Sequence, residues 1–255
     1  LLGETATLNV VRDPGTVSLA GGAAVGSTLL VGNNLTTLTV GGTDSGLIAT
    51  RRNVGKAAFA TLNAGLVAFG GNVASLTVTG TTLDSLISAG KWVGNDGQYN
   101  TGDDVIFGGT IATAKFSGQF IDSTIAAGVL PREGTTAGSA SNIPASNRAF
   151  TGNPSAANIA DIDSAEAGGI AVSQITSLTF ATPVVSTSPN GSLFSLAVAA
   201  DAIGKVTAKG ALTQLVLANP LGAAAVAQDS NNIDRVTRVS LTEIQVVFTK
   251  PIDTA

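Results

Sequence analysis

Three segments of this 255-residue chain repeat one pattern at a fixed offset. They are residues 29–42 (LLVGNNLTTLTVGG), 67–80 (VAFGGNVASLTVTG) and 105–118 (VIFGGTIATAKFSG). Leu35, Val73 and Ile111 stand 38 residues apart, and the same offset joins Val31, Phe69 and Phe107, then Val40, Val78 and Phe116, then Gly42, Gly80 and Gly118. A fixed period of this size marks stacked copies of one supersecondary unit, each burying its apolar face against its neighbours. Within the unit, Thr or Ser alternates with an apolar residue at 36–40 (TTLTV) and 75–78 (SLTV), and again at 177–180 (SLTF). Period two means a strand with one face in and one out. Leu38, Val40, Leu76, Val78, Phe116, Leu178 and Phe180 are therefore the expected inward residues.

The fold class these signals predict is all-β, a parallel β-helix or β-solenoid with a 38-residue repeat. Each repeat is either one large coil or two coils of roughly 19 residues. Apolar columns through Phe69, Phe107, Val78 and Phe116 are expected to hold the stack together. The only stretch that suits even a short helix is 156–167. An Asp-Ser step follows the glycines of each repeat, as Asp44-Ser45, Asp84-Ser85 and Asp122-Ser123. Such pairs are expected to bond nearby backbone N–H groups in Asx-turns. The chain divides into β-solenoid repeats at 1–130, a polar insertion or loop excursion at 131–169, a β-solenoid continuation at 170–238, and a terminal strand at 239–255.

Composition removes several functions. Net charge is −4, which disfavours a general attraction to nucleic acid or to an anionic membrane surface. No apolar run approaches the ~18–20 residues that span a bilayer. His and Cys are both absent, so there is no imidazole base, no Ser-His-Asp triad, no disulfide and no usual zinc set. A non-enzymatic protein is expected. Met is absent too, and a chain without Cys or Met resists oxidation, which suits an extracellular or cell-surface location. Charged residues make up 12% of the chain, about half the usual ~25%, which suggests packing against neighbours or a hydroxyl-rich surface. With no initiator Met and no signal peptide, the sequence reads as a piece of something longer.

Two resemblances add to this reading. The Gly-Gly-x-apolar steps (Gly70-Gly71-Asn72-Val73, Gly108-Gly109-Thr110-Ile111), the Asp-Ser-x-Ile steps and the loop 96–104 resemble β-solenoid segments of giant modular surface proteins of planctomycete-type bacteria. That likeness covers 1–130 well and 170–255 less well. It implies an extracellular, structural or adhesive protein: a self-associating subunit or segment of a fibre, surface layer or adhesin. The terminal run 241–255 (LTEIQVVFTKPIDTA) is similar to the opening strand of a bacterial Ig-like module. A strand of this kind either starts a following module or is donated to a neighbouring subunit.

The strongest site candidate is the acidic loop, with Asp96, Asn100, Asp103 and Asp104 as the proposed metal ligands. Ca²⁺ takes six to eight oxygens, and Gly97 and Gly102 permit the tight turns that gather them. The alternative is a solvated turn. Weaker acidic clusters are Asp161, Asp163 and Glu166, then Asp229 and Asp234 with Asn231 and Asn232. The rival functional class is a polysaccharide-active or polysaccharide-binding β-helix protein, with Trp92 and Tyr99 flanking the acidic loop as ring platforms. Expected partners are further copies in an oligomer or polymer and a cell-surface glycan, without nucleic acid and without a membrane span.

Overall fold

A computed structural model describes residues 6–96, 105–131, 150–151, 159–161, 173–185, 195–196, 198–200, 202–209, 216–219, 223–227, 233–240 and 243–248. Among them there is no helix; the chain is all-β. Most strands belong to two sheets, of 9 and 12 strands, and the chain visits the two in turn.

The first rung is β1 (Thr7–Val10) and β2 (Thr16–Leu19), the second β3 (Thr28–Val31) and β4 (Leu35–Asp44), the third β5 (Leu47–Thr50) and β6 (Val54–Asn63). The fourth is β7 (Leu66–Phe69), β8 (Val73–Val78) and β9 (Thr82–Leu83). The fifth opens with β10 (Leu86–Ala89), leaves along an antiparallel ribbon of β11 (Lys91–Trp92) and β12 (Val105–Ile106), and returns as β13 (Thr110–Phe116) and β14 (Phe120–Ile121). The sixth opens with β15 (Thr124–Ala127) and closes with β19 (Gln174–Phe180) and β20 (Val184–Val185). Between them come β16 (Val129–Pro131), β17 (Phe150–Thr151) and β18 (Ile159–Asp161), and β16 pairs with β18. After β21 (Ser195–Leu196), which pairs with β17, the seventh rung is β22 (Val198–Ala200) and β23 (Ala202–Ala208). The remaining strands are β24 (Val216–Asn219), β25 (Ala223–Ala227), β26 (Ile233–Ser240) and β27 (Glu243–Phe248).

First strands of the rungs form one sheet, in the order β1-β3-β5-β7-β10-β15-β22-β24, and every neighbouring pair is parallel. Second strands form the other sheet from β2 to β23, again parallel. Two antiparallel pairs, β24–β25 and β26–β27, follow the last rung. No helix among the described residues is long and apolar enough to cross a membrane. This alternating parallel arrangement is compatible with the solenoid that the repeat predicts.

The 38-residue spacing arises in two ways. Leu35 pairs with Val54 and Val54 with Val73, so the first interval spans two rungs. Val73 pairs directly with Ile111, so the second interval is a single rung lengthened by the β11–β12 ribbon. The next step in the same column, Ile111 to Ile175, is lengthened further by the excursion that contains β16 to β18. The register ignores these lengths because each returning strand must satisfy the N–H and C=O row of the strand before it.

The two sheets differ as their sequences do. In the second-strand sheet, apolar residues alternate with polar ones, and all seven residues expected to face inward are buried. One inward column runs Leu38, Ala57, Leu76, Ala114, Leu178, with large and small side chains alternating so that neighbours interlock. Another runs Val40, Phe59, Val78, Phe116, Phe180. Phe120 packs against this column, with its ring centroid 4.7 Å from Phe116 and 5.0 Å from Phe180. From β3 to β22 the first-strand sheet is buried on both faces, so its strands read as near-continuous apolar runs such as LVAF. Its inner face (Leu29, Ile48, Val67, Ile87, Ile125) joins the shared core, and its outer face (Leu30, Ala49, Ala68, Ala126) forms a second buried cluster with Trp92 and Val93.

Two expectations are corrected here. Phe107 does not continue the Val31–Phe69 column; the register there runs Val31, Thr50, Phe69, Ala89, Ala127. Phe107 lies outside the core at the foot of the ribbon, half-buried, with the Arg52 guanidinium 4.6 Å from its ring centre. The ribbon inserts between β10 and β13 and takes Phe107 out of register. The described part of 156–167 is the strand β18 rather than a helix, because Ile159, Ala160 and Asp161 pair with Pro131, Leu130 and Val129. Residue 243–248 of the terminal run pair within this chain as β27 against β26. Most of 131–169, and everything after Phe248, lies outside the described residues.

Candidate functional site

One corner of the stack carries a ladder of side chains. The Oδ1 of Asp13 accepts from Asn34 N–H (2.9 Å), and Asn34 Oδ1 from Asn53 N–H (3.3 Å). Asn53 Oδ1 accepts from Asn72 N–H (2.9 Å), and Asn72 Oδ1 from Thr110 N–H (2.8 Å). Asn34, Asn53, Asn72 and Thr110 each stand just before an inward apolar residue, where the chain turns into the second-strand sheet. A side-chain oxygen of the preceding rung accepts from the N–H of each. A 19-residue spacing of Asn34, Asn53 and Asn72 was present in the sequence and would have revealed the short coil.

Beside this ladder runs an open groove of about 490 Å³, lined by Asn53, Gly55, Asn72, Ala74, Thr110 and Ala112. Small side chains at Gly55, Ala74 and Ala112 form it, because each faces outward at the same place on successive rungs. Beyond the groove lie two outward columns of the second-strand sheet. One runs Thr37, Lys56, Ser75, Thr113, Ser177, Lys205; the other runs Thr39, Ala58, Thr77, Lys115, Thr179, Thr207. Lys56, Lys115 and Lys205 are exposed; Lys56 and Lys115 stack on hydroxyl residues on both sides, and Lys205 stands between Ser177 and Arg235.

At the opposite corner the Asp-Ser steps do two jobs. Asp44 Oδ1 accepts from Gly46 N–H at 3.2 Å, the Asx-type bond that was expected. In the later rungs the serine takes the role instead. Ser85 Oγ accepts from Gly65 N–H and donates to Leu83 O, while Ser123 Oγ accepts from Ser85 N–H and donates to Ile121 O. Asp84 and Asp122 adopt left-handed conformations, with φ of 46° and 44°, which Asp tolerates better than most residues. Burial, then the neighbouring Asp122 carboxylate, hold the Asp84 carboxyl above its ordinary value.

A raised folded-state pKa means this group contributes stability below the ordinary carboxylate range and loses it as pH rises through the folded value. Asp84→Asn, which keeps the backbone preference and removes the charge, is therefore expected to stabilise the fold at pH 7. The gain is about half a kcal/mol, because the site is largely solvated, and it vanishes below about pH 3.5. Thermal melts at both pH values check this; an equal shift at both would mean the charge is not the cause.

The proposed metal loop is only partly visible. Asp96 is exposed in a turn at the end of the β11–β12 ribbon, and Asn100, Asp103 and Asp104 lie outside the described residues. The ribbon brings the two ends of the loop together, since Trp92 pairs with Val105. Among the described residues no three acidic, His or Cys side chains gather to hold a metal ion. Of the weaker acidic clusters, Asp161 lies in β18 and Asp234 in β26, and Asp163, Glu166, Asp229, Asn231 and Asn232 lie outside the described residues. Trp92, expected as a ring platform, is only 3% exposed and packs on the outer face of the first-strand sheet; Tyr99 lies outside the described residues. No family model, no curated protein and no solved structure matches this chain.

Proposed function

We propose that this chain is a structural β-solenoid module of an extracellular or cell-surface protein, a non-enzymatic subunit or segment that associates with further copies in a fibre, surface layer or adhesin. The carrying observation is a group of exposed apolar side chains beside β1 and β2. Leu8 lies on the column through Leu29 and Ile48. Leu8 is 39% exposed, and Val11 and Val25 at the same end are 76% and 68% exposed. These are the large apolar side chains that the described residues leave in water. Exposed apolar side chains grouped in one place mark a surface suited to association with another chain. A surface low in charge and chemistry without His, Cys or Met suit the same role.

Sedimentation velocity across a concentration range tests it. The wild type is expected to self-associate, and Val11→Lys and Leu8→Lys to weaken association by about tenfold or more, as a charge at an interface centre does. A wild type that stays monomeric at every concentration, or variants that associate as it does, would sink the proposal.

A further inference from the structure

Each ladder asparagine commits its carbonyl oxygen to the next rung. That fixes which way the amide points, because an NH₂ set against a backbone N–H would bond to nothing. The NH₂ of Asn34 donates no hydrogen bond among the described residues, and Asn34 is exposed at the turn before β4. What sets it apart stands two residues on. Asn34-Leu35-Thr36 is an Asn-x-Thr triplet, whereas Gly55 and Ala74 hold the matching positions after Asn53 and Asn72. Leu35 is buried in the core, which leaves Asn34 and Thr36 both facing water. The space alongside is open, since Gly55, Ala74 and Ala112 line the groove of about 490 Å³ on the rungs that follow. The sequence holds one other Asn-x-Ser/Thr triplet without a central proline, Asn190-Gly191-Ser192, outside the described residues.

We infer that Asn34 is an attachment site for an N-linked glycan. The Asn-x-Ser/Thr triplet is the acceptor that an oligosaccharyl transferase reads, on the surface of an exported chain. In the transfer, Nδ2 forms a bond to the anomeric carbon of a sugar carried on a lipid diphosphate. The bond from that carbon to the diphosphate oxygen breaks, the lipid diphosphate leaves with the electron pair, and one amide proton passes to solvent. The product is a secondary amide that keeps its carbonyl oxygen. Asn34 Oδ1 therefore goes on accepting from Asn53 N–H, and the ladder stays joined beneath the glycan. The inference rests on the extracellular reading, since a chain meets lipid-linked sugars only on export, and it is independent of self-association.

The test supplies export separately, so that the site is judged apart from where the chain works. The full chain carrying Asn190→Gln is secreted from a eukaryotic host behind a cleavable signal peptide, and peptide mass mapping locates the glycan. One glycan is expected, on Asn34, removable by a peptide N-glycosidase. Thr36→Ala is expected to lose it and Thr36→Ser to keep it; Thr36 is exposed, so neither change disturbs the core. The glycosylated chain is expected to melt no lower than the same chain made without the glycan, because the ladder bond survives. A secreted chain with Asn34 bare, a glycan that persists in Thr36→Ala, or a melting temperature lowered by the glycan would each overturn the inference while leaving the extracellular reading intact. Fractionation of the native cells reads location by itself, and a cytoplasmic chain would overturn both.

Discussion

Replacing Phe116 by alanine is expected to cost about 3–5 kcal/mol, the range for deleting a buried aromatic side chain. Phe116 is fully buried and central: its ring lies 5.3 Å from Phe180 in a stacked geometry and 4.7 Å from Phe120 edge-on. Removing it leaves a hole between two rungs, and neither ring can close it without leaving its own strand register. Phe107→Ala makes the contrast. That ring touches Arg52 and the margin of the outer cluster, and its loss is expected to cost about 1 kcal/mol, the scale of one exposed cation–π contact. Urea denaturation of both variants checks the pair. Equal losses would mean that the inner and outer columns have been assigned wrongly.

The second large effect comes from a residue with no side chain. A Cβ at Gly118 would fall on the backbone carbonyl of Gly80 in the rung below, in a turn whose backbone is itself held by the Gly80 N–H bond to the Ala60 carbonyl. Gly118→Ala is expected to destabilise the fold by about 1–3 kcal/mol through overpacking. Gly15→Ala separates this effect from conformational cost. Nothing lies within 4 Å of its Cβ, but its φ is +69°, so its loss is expected at about 1 kcal/mol from the left-handed backbone alone. A Gly118→Ala protein as stable as the wild type would show that the rungs are not in van der Waals contact there.

How much of this was legible in the sequence depended on which face a residue serves. Thr36–Val40 and its counterparts announced their pleat, because polar and apolar residues alternate wherever one face meets water, and every inward residue read from them is buried. The third rung was legible only as the option of two roughly 19-residue coils per repeat. In 54–63 (VGKAAFATLN) alanines stand both inside and outside, and Ala57 and Ala58 cancel the alternation that Leu76 and Thr77 display one rung later. With that rung weakly marked, the plain repeat read as 38 residues; Phe107 was misplaced for another cause, the β11–β12 ribbon that takes it out of register. The groove was illegible for a different reason. Asn before an apolar residue reads as a turn signal, and nothing local says that its oxygen is used by a residue 19 positions later. The acidic loop was legible as donor chemistry alone, since the positions of Asn100, Asp103 and Asp104 depend on a fold that their own sequence does not specify.

The order of strands in the two sheets has a mechanical consequence. β1 and β2 lie at one end of the stack, and β26 and β27 at the other, so the first and last described strands are separated along the stacking axis. A pull between them runs parallel to the hydrogen bonds that join successive rungs and at right angles to the strands. Bonds loaded in that direction part in sequence, one pair after the next, instead of resisting together as they do when strands are sheared along their length. The stack therefore gives way by peeling a rung at a time and feeding out slack, and the rungs that carry excursions feed out the most. Such a body absorbs a load by lengthening in steps.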